Sequence, residues 1–302
     1  MRFILAILTI FAGFNVSRAA LFTNTISIDA LVRSNTPAAN YGAAGSLTVS
    51  GATATNASGT VNGIADSFIR VNTAGLVTAL NSLYGPNNWI INGAALRVVE
   101  LGAPGNNIFT RGKGAFEIRW FSNDAWTEGT GMPISPTTDG VVYTNELTLL
   151  TNTASLGVFT NAAANNTNAY FLALPAAFVA DIAAGGDVGL YLTAVDPGIG
   201  FTFNSQNFGT ATQRPLFILS AVPTPGTIGI TVSGADVIIT GTNGAAGVPY
   251  VVLSGTNLLS PPNQWMPVAT NVLNASGPFS ITATNVNGPG APAQQFFILQ
   301  NQ

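Results

Sequence analysis

Apolar and polar positions alternate along many short stretches of this chain. Ile26, Ile28, Ala30 and Val32 interleave with Ser27, Asp29, Leu31 and Arg33. A period of two puts successive side chains on opposite faces and predicts a strand. The same pattern predicts strands over Leu47–Ser50, Asp66–Val71, Ala95–Leu101, Phe116–Phe121, Tyr170–Leu174, Asp187–Val195, Phe201–Asn204 and Pro215–Val222. Two stretches break it. Leu76, Val77, Leu80, Leu83 and Tyr84 recur at helical spacing ahead of Gly85-Pro86, which predicts a short helix over Thr73–Tyr84. Pro175 is suited to the first helical position and opens a second helix, Ala176–Ala184. Val141–Leu150 is apolar without a clear period.

Val222-Pro223-Thr224-Pro225-Gly226 is the strongest break in the chain, since two prolines stiffen it into a semi-rigid linker. Beyond it, strands are predicted over Ile228–Val232, Val237–Thr240, Tyr250–Ser254, Trp265–Ala269, Phe279–Thr282 and Phe296–Leu299, separated by turn residues at short intervals. The expected fold is all-β, with two antiparallel β-sandwich domains and short helical insertions. A jelly-roll-like sandwich is expected over 20–222, a Pro-rich linker over 223–226 and a smaller Ig-like sandwich of roughly seven strands over 227–302.

Composition narrows the setting. Arg2 precedes the apolar run Phe3–Phe14, which is too short to span a bilayer, and Ser17 and Ala19 are the small residues a signal-peptide cut requires. Residues 1–19 are therefore expected to be a signal peptide, and the mature protein to be secreted or held at the cell surface with no transmembrane segment. The chain has no Cys and no His, which excludes Ser-His-Asp and Cys-His catalysis and the usual zinc sites. Net charge is −3 with a single lysine, Lys113, so no basic patch is available for nucleic acid. Only 7% of residues are charged, and the stretch from 227 onward carries one ionisable acid, Asp236, with no Lys or Arg.

Against that background Phe116–Gly131, FEIRWFSNDAWTEGTG, stands out. On a strand, Phe116, Ile118 and Trp120 share one face, while Glu117, Arg119 and Phe121 share the other, with Glu117 and Arg119 close enough to pair. Trp126 follows on a loop between Asp124 and Glu128. A flat indole takes the C–H face of a sugar ring, and carboxylates accept from its hydroxyls, so Trp126, Glu128, Asp124 and Arg119 are the candidate ligand contacts. The alternative is that Trp126 folds back as a core plug and Asp124 caps a turn. Paired carboxylates such as Glu117 with Glu128, or Asp124 with Glu128, have the chemistry of a glycosidase but need a cleft. No catalytic residue is assigned. A structural calcium is the one cofactor the composition leaves open, with Asp29 and Asp66 as candidate ligands among hard oxygen donors. Arg70 and Arg97 read either as contacts to an acidic polysaccharide or as internal ion pairs with Asp66 and Glu100.

Several of these pieces also occur in a recognisable order. Ile28-Asp29-Ala30, Asn40-Tyr41-Gly42, Leu47-Thr48-Val49, Asp66–Val71, Ala95–Val98, Trp126-Thr127-Glu128 and Arg214–Ile218 together resemble the DNRLRE-type β-sandwich domain of secreted proteins, over about 25–222. Its name-giving strand motif is replaced here by DSFIRV. Gly241–Gly244, Tyr250–Leu258, Trp265–Val272 and Gln295–Gln300 resemble a C-terminal sandwich of exported Planctomycetes and Verrucomicrobia proteins. The first resemblance implies a carbohydrate-binding-module-like or surface-attachment module, and the second implies display rather than chemistry. The expected function is thus non-catalytic binding of polysaccharide or extracellular matrix. A self-associating matrix, sheath or filament subunit is the alternative, and a carboxylate-based glycan-degrading enzyme the third reading.

Overall fold

In a computed structural model, the described residues are 20–301, apart from 57, 102–111, 163–165, 225, 227, 245, 246, 248, 276 and 293. The expected signal peptide lies outside them, as does Pro225 of the linker. The fold is all-β with antiparallel sheets and short helices. The chain separates into two compact units: Ala20–Thr78 with Ile91–Ala221, and Val222 onward with Ala79–Ile90.

The strands of the first part are β1 (Ala20–Thr25), β2 (Ile28–Arg33), β3 (Ser46–Ser50), β4 (Ala65–Asn72), β5 (Trp89–Val99), β6 (Gly114–Phe121), β7 (Ala154–Asn161), β8 (Thr167–Leu172), β9 (Asp187–Ala194), β10 (Gly200–Asn204) and β11 (Leu216–Pro223). Helices α1 (Ala74–Tyr84), α2 (Glu146–Leu149) and α3 (Ala176–Ala184) interrupt them. One sheet runs β1-β11-β5-β8. The other runs β10-β3-β4-β9-β6-β7, with β2 also paired to β4. The strand predicted from Ile26 is β2, which begins two residues later at Ile28; Ile26 and Ser27 carry the chain from β1, paired with β11 in one sheet, to β2, paired with β4 in the other.

The two sheets meet through aromatic side chains. Tyr170 of β8 lies edge-on to Phe116 of β6 at 5.1 Å, and Phe116 lies 5.3 Å from Phe201 of β10. Phe116, Ile118 and Trp120 are buried on this inner face, as the alternation predicts. Helix α3 ends at Gly185, whose φ of 73° suits a left-handed C-terminal cap. It buries Phe178 and Ile182, with Phe178 edge-on to Phe217 of β11.

The outer face of the larger sheet is covered as well. Ala30 and Val32 of β2, Phe68 of β4, Tyr191 of β9 and Phe121 of β6 form a second core, closed by Trp126, Val141, Tyr143, Leu149 and Leu150. All five closing residues come from the segment 122–150. Its apolar residues between 141 and 150 lack a strand period because they form a 3-10 turn and α2, which serve as a lid.

The second unit contains β12 (Ile228–Ser233), β13 (Asp236–Gly244), β14 (Pro249–Gly255), β15 (Met266–Val272), β16 (Gly277–Ala283) and β17 (Phe296–Asn301). Two three-stranded sheets, β12-β13-β16 and β15-β14-β17, enclose Val237, Ile239, Ile281 and Val252. On β14 the odd-numbered Val251 and Leu253 point the other way, where they join Trp265 and Phe296 in a separate apolar cluster.

Candidate functional site

The segment after β6 is held down by β4. Arg70 reaches across from the outer sheet face, and its Nη1 donates to the carbonyl oxygens of Asp124 at 2.6 Å and Trp126 at 3.2 Å. Its guanidinium sits 5.5 Å from the centre of the Trp126 ring and is ion-paired to Asp187, not to Asp66. Trp126 itself is 4% exposed, with Phe68 5.7 Å from it. Its ring is thus enclosed by Phe68 and Arg70, and it offers no platform to a sugar. The reason is burial: the outer face of β4, β6 and β9 is aromatic and needs a cover.

Asp124 and Arg119 are likewise engaged. The Asp124 carboxyl is pushed up to about 6 by burial and by the nearby acids Asp181 and Asp187, against the pull of Arg70. Arg119 pairs with Glu117 at 3.1 Å, as their spacing predicts, and donates to Thr153. Arg97 donates to the carbonyls of Thr212 and Arg214. The four residues named as a ligand patch therefore do not form one. Trp126, Asp124 and Arg119 hold the layer in place, and Glu128 belongs to a different cluster.

That cluster is built on Asn40-Tyr41-Gly42. Asn40 is buried, and its side-chain amide meets four backbone groups. Nδ2 donates to the carbonyls of Glu128 (2.7 Å) and Val141 (2.8 Å), while Oδ1 accepts from Gly42 (3.0 Å) and Gly131 (3.2 Å). Gly42 is packed so closely that a Cβ there would stand 1.9 Å from the Glu128 carbonyl oxygen. This staple presents the Glu128 side chain to Asp29 of β2. Glu128 Oε1 accepts from the Asp29 backbone N–H (3.4 Å), from Gln206 Nε2 (2.7 Å) and from Asn207 Nδ2 (2.9 Å). Asp29 is wholly buried, and its Oδ2 accepts from the Gln206 N–H at 2.6 Å. Burial holds the Asp29 carboxyl well above the usual carboxylate range, the Gln206 N–H draws it down and the nearby Glu128 charge adds to the rise.

Asp66, the other candidate metal ligand, does not join Asp29. In the β2–β4 register Asp29 stands opposite Ile69 and Asp66 opposite Val32, so alternation sends the two carboxylates to opposite faces of the sheet. Asp66 instead lies within electrostatic reach of Glu146 of α2. Burial pushes Asp66 up to about 6, with Thr193 and Tyr191 hydrogen bonds opposing. Burial and the Asp66 charge push Glu146 up to about 8. Glu146 and the amides of Gln206 and Asn207 were invisible to pattern reading, because each lies in a loop or short helix with no distinctive neighbour.

The second unit has a hollow of about 460 Å³. Trp265, Met266 and Pro292 give it apolar wall, and Asn257, Gln264 and Gln295 bring neutral amides. Trp265 Nε1 donates to the Ser260 carbonyl at 2.9 Å, which fixes the indole, and its ring lies against Gly255, where a Cβ would approach it to 2.6 Å. None of the lining residues is ionisable.

No family model matches the chain, and no curated protein matches its sequence. Among solved structures it is similar to a β-glucuronidase from Ruminococcus gnavus, at 8% identity and a TM-score of 0.23 over 88% of this chain and 39% of that one. A second structure of that enzyme, in complex with uronic isofagomine, gives 7% identity and a TM-score of 0.20 over 88% and 38%. A β-D-glucuronidase from Dictyoglomus thermophilum gives 9% identity and 0.20 over 93% and 43%. The chain spans well under half the length of these enzymes, and likeness at this level has no bearing on activity.

Proposed function

We propose that this is an exported, non-catalytic protein that binds carbohydrate or a carbohydrate-bearing matrix component. The observation that carries the reading is the hollow beside Trp265. It has the size of a small-ligand site, with the exposed Met266 and Pro292 for apolar contact over the buried Trp265, and several amides and hydroxyls that both donate and accept. A neutral polyhydroxylated ring asks for that combination. The lack of an ionisable lining residue supports binding without acid–base chemistry. Export rests on the Phe3–Phe14 apolar run and the small residues Ser17 and Ala19. The resemblance to DNRLRE-type and surface-display modules points the same way.

Retention on insoluble polysaccharides and on a glycan array tests the reading. The double variant Gln264→Ala/Gln295→Ala changes side chains at the rim and is expected to lower retention at least tenfold at an unchanged melting temperature. Wild-type protein that is retained by no glycan refutes it. A second reading, self-association into a matrix, draws on one observation. The outer face of the β1-β11-β5-β8 sheet leaves Phe171 80% and Leu21 72% exposed. Mass that grows with concentration in analytical ultracentrifugation, and reverts in Phe171→Ser, would favour it.

A further inference from the structure

We propose that Asp29 and Glu128, with Asn207, Gln206 and the Gly42 carbonyl, form a binding site for one hard divalent cation of calcium's size, which ties four segments of the first unit together.

Asp29 and Glu128 are neighbours here, linked through the Asp29 N–H and through Gln206, and neither of the two ion pairs between described residues, Arg70–Asp187 and Arg119–Glu117, reaches them. Oδ1 of Asp29 is buried and accepts no hydrogen bond, although Asp29 is wholly enclosed. Ionising a carboxyl sealed away from water without a partner is costly, which favours a bound proton at Asp29, and a cation in the proton's place removes the same cost. Other oxygens converge on the same place. Asn207 Nδ2 stands 3.0 Å from the Gly42 carbonyl as well as 2.9 Å from Glu128 Oε1, and Gln206 Nε2 stands 2.7 Å from that same Oε1. A half-turn of either terminal amide replaces its nitrogen with its oxygen. The two carboxylates, the two amide oxygens and the Gly42 carbonyl then give at least five oxygen ligands from β2, the 40–42 loop, the 122–150 segment and the turn after β10. Calcium takes six to eight such ligands in adaptable geometry, with water supplying the remainder. Magnesium demands a stricter octahedron, and the absence of His and Cys leaves no ligand set for zinc or copper.

The other acidic groups serve worse. Asp66 and Asp124 also each bury one unpartnered carboxyl oxygen, but Asp124 has Arg70 beside it, and Asp66 has hydrogen bonds from Tyr191 and Thr193 and, among the described residues, no converging amides or carbonyl. At Asp29 the backbone is positioned first, by the Asn40 staple and by Ser205, whose hydroxyl donates to the Ala44 carbonyl at 2.6 Å and accepts from the Asn207 N–H at 3.0 Å. The ligands are thus held before an ion arrives, which lowers the ordering cost of binding.

The test uses the purified chain stripped with chelator, then titrated with Ca²⁺, Mg²⁺ or Tb³⁺. Trp126 lies two residues from Glu128 and is expected to sensitise Tb³⁺ luminescence at a stoichiometry of one ion per chain, with Ca²⁺ displacing it. Millimolar Ca²⁺ is expected to raise the melting temperature by roughly 5–10 °C, and Mg²⁺ by much less. Asn207→Ala, an exposed position, keeps the fold and is expected to weaken Ca²⁺ at least tenfold. Glu128→Gln and Asp29→Asn are expected to abolish the shift. A wild-type shift under 1 °C with no Tb³⁺ signal overturns the proposal. Asp29→Asn as stable as calcium-free wild type would then show that the pair holds a shared proton. Unaltered Ca²⁺ affinity in both Asn207→Ala and Glu128→Gln overturns it equally, by placing the ion elsewhere.

Discussion

Raising the pH from 5 to 8 is expected to destabilise the first unit by about 3 kcal/mol through a single carboxyl, Glu146. Glu146 lies under the lid, with its Oε2 buried and unpartnered and the buried Asp66 as its charged neighbour. Burial, with the Asp66 charge, raises it from the model-compound value of 4.5 to about 8. In the unfolded chain the same group ionises near its ordinary value. Between those two points the folded protein holds a proton that the unfolded chain has released, so protonation favours folding. The stabilisation is complete below about pH 4 and is lost as pH climbs toward 8. Each tenfold change in proton concentration inside that window is worth about 1.4 kcal/mol, and the interval from 5 to 8 spans most of it. Asp66, raised to about 6, acts in the same direction over the lower part of the range. For a unit of this size, 3 kcal/mol corresponds to about 6–12 °C in melting temperature. The assay is thermal unfolding at pH 5, 6, 7 and 8 at constant ionic strength, with wild type beside Glu146→Gln and Asp66→Asn. Glu146→Gln keeps the shape and removes this titration, so its melting temperature is expected to fall clearly less from pH 5 to 8 than that of wild type, with Asp66, Asp124 and Asp29 supplying the remainder. A wild-type slope that survives unchanged in both variants refutes the argument, because it places the titration elsewhere.

Three further outcomes follow from the same layer. Trp126→Ala is expected to cost about 3–5 kcal/mol by opening a cavity, while Trp126→Phe costs about 1–2 kcal/mol because the buried indole Nε1 has no hydrogen-bond partner to lose; both are measured by urea unfolding, and neither is expected to alter glycan retention. Arg70→Met removes the two bonds to the Asp124 and Trp126 carbonyls and the Asp187 pair, and is expected to lower stability by about 2–4 kcal/mol and to speed hydrogen exchange across 122–130. Gly42→Ala drives a methyl group into the Glu128 carbonyl and is expected to cost at least about 3 kcal/mol, with soluble yield and melting temperature as readouts.

Most of the strands and both longer helices were legible from side-chain period. The helix expected over Ala176–Ala184 has those same bounds in the structure, and the inner face Phe116, Ile118, Trp120 follows from alternation alone. Strand β7 was missed because Ala154–Asn161 mixes Ser, Gly, Thr and Asn with few large apolar residues, and it forms by pairing to β6. β1 was missed because Ala20–Thr25 has no buried side chain and is held by β11. The site was read less well. Trp126 beside two acids looks the same whether the indole faces water or an aromatic sheet, and local sequence holds no record of what lies on the far side of a loop.

Period, turn residues and composition are local properties, so they were enough to establish an all-β chain with short helices, a break near Val222, and no His- or Cys-based chemistry. They also paired Glu117 with Arg119, which lie two residues apart on one strand. The remaining assignments depended on distance through space between residues far apart in the chain. Asp29 meets Glu128 and Gln206, Asp66 feels the charge of Glu146, and Arg70 meets Trp126 because strand pairing and the folding-back of 122–150 bring them together. A carboxylate's burial, its neighbours and hence its charge are set by that assembly. The same assembly decided between the two readings of Trp126 by placing it in the core, and brought the buried acids Asp66 and Glu146 within electrostatic reach of one another.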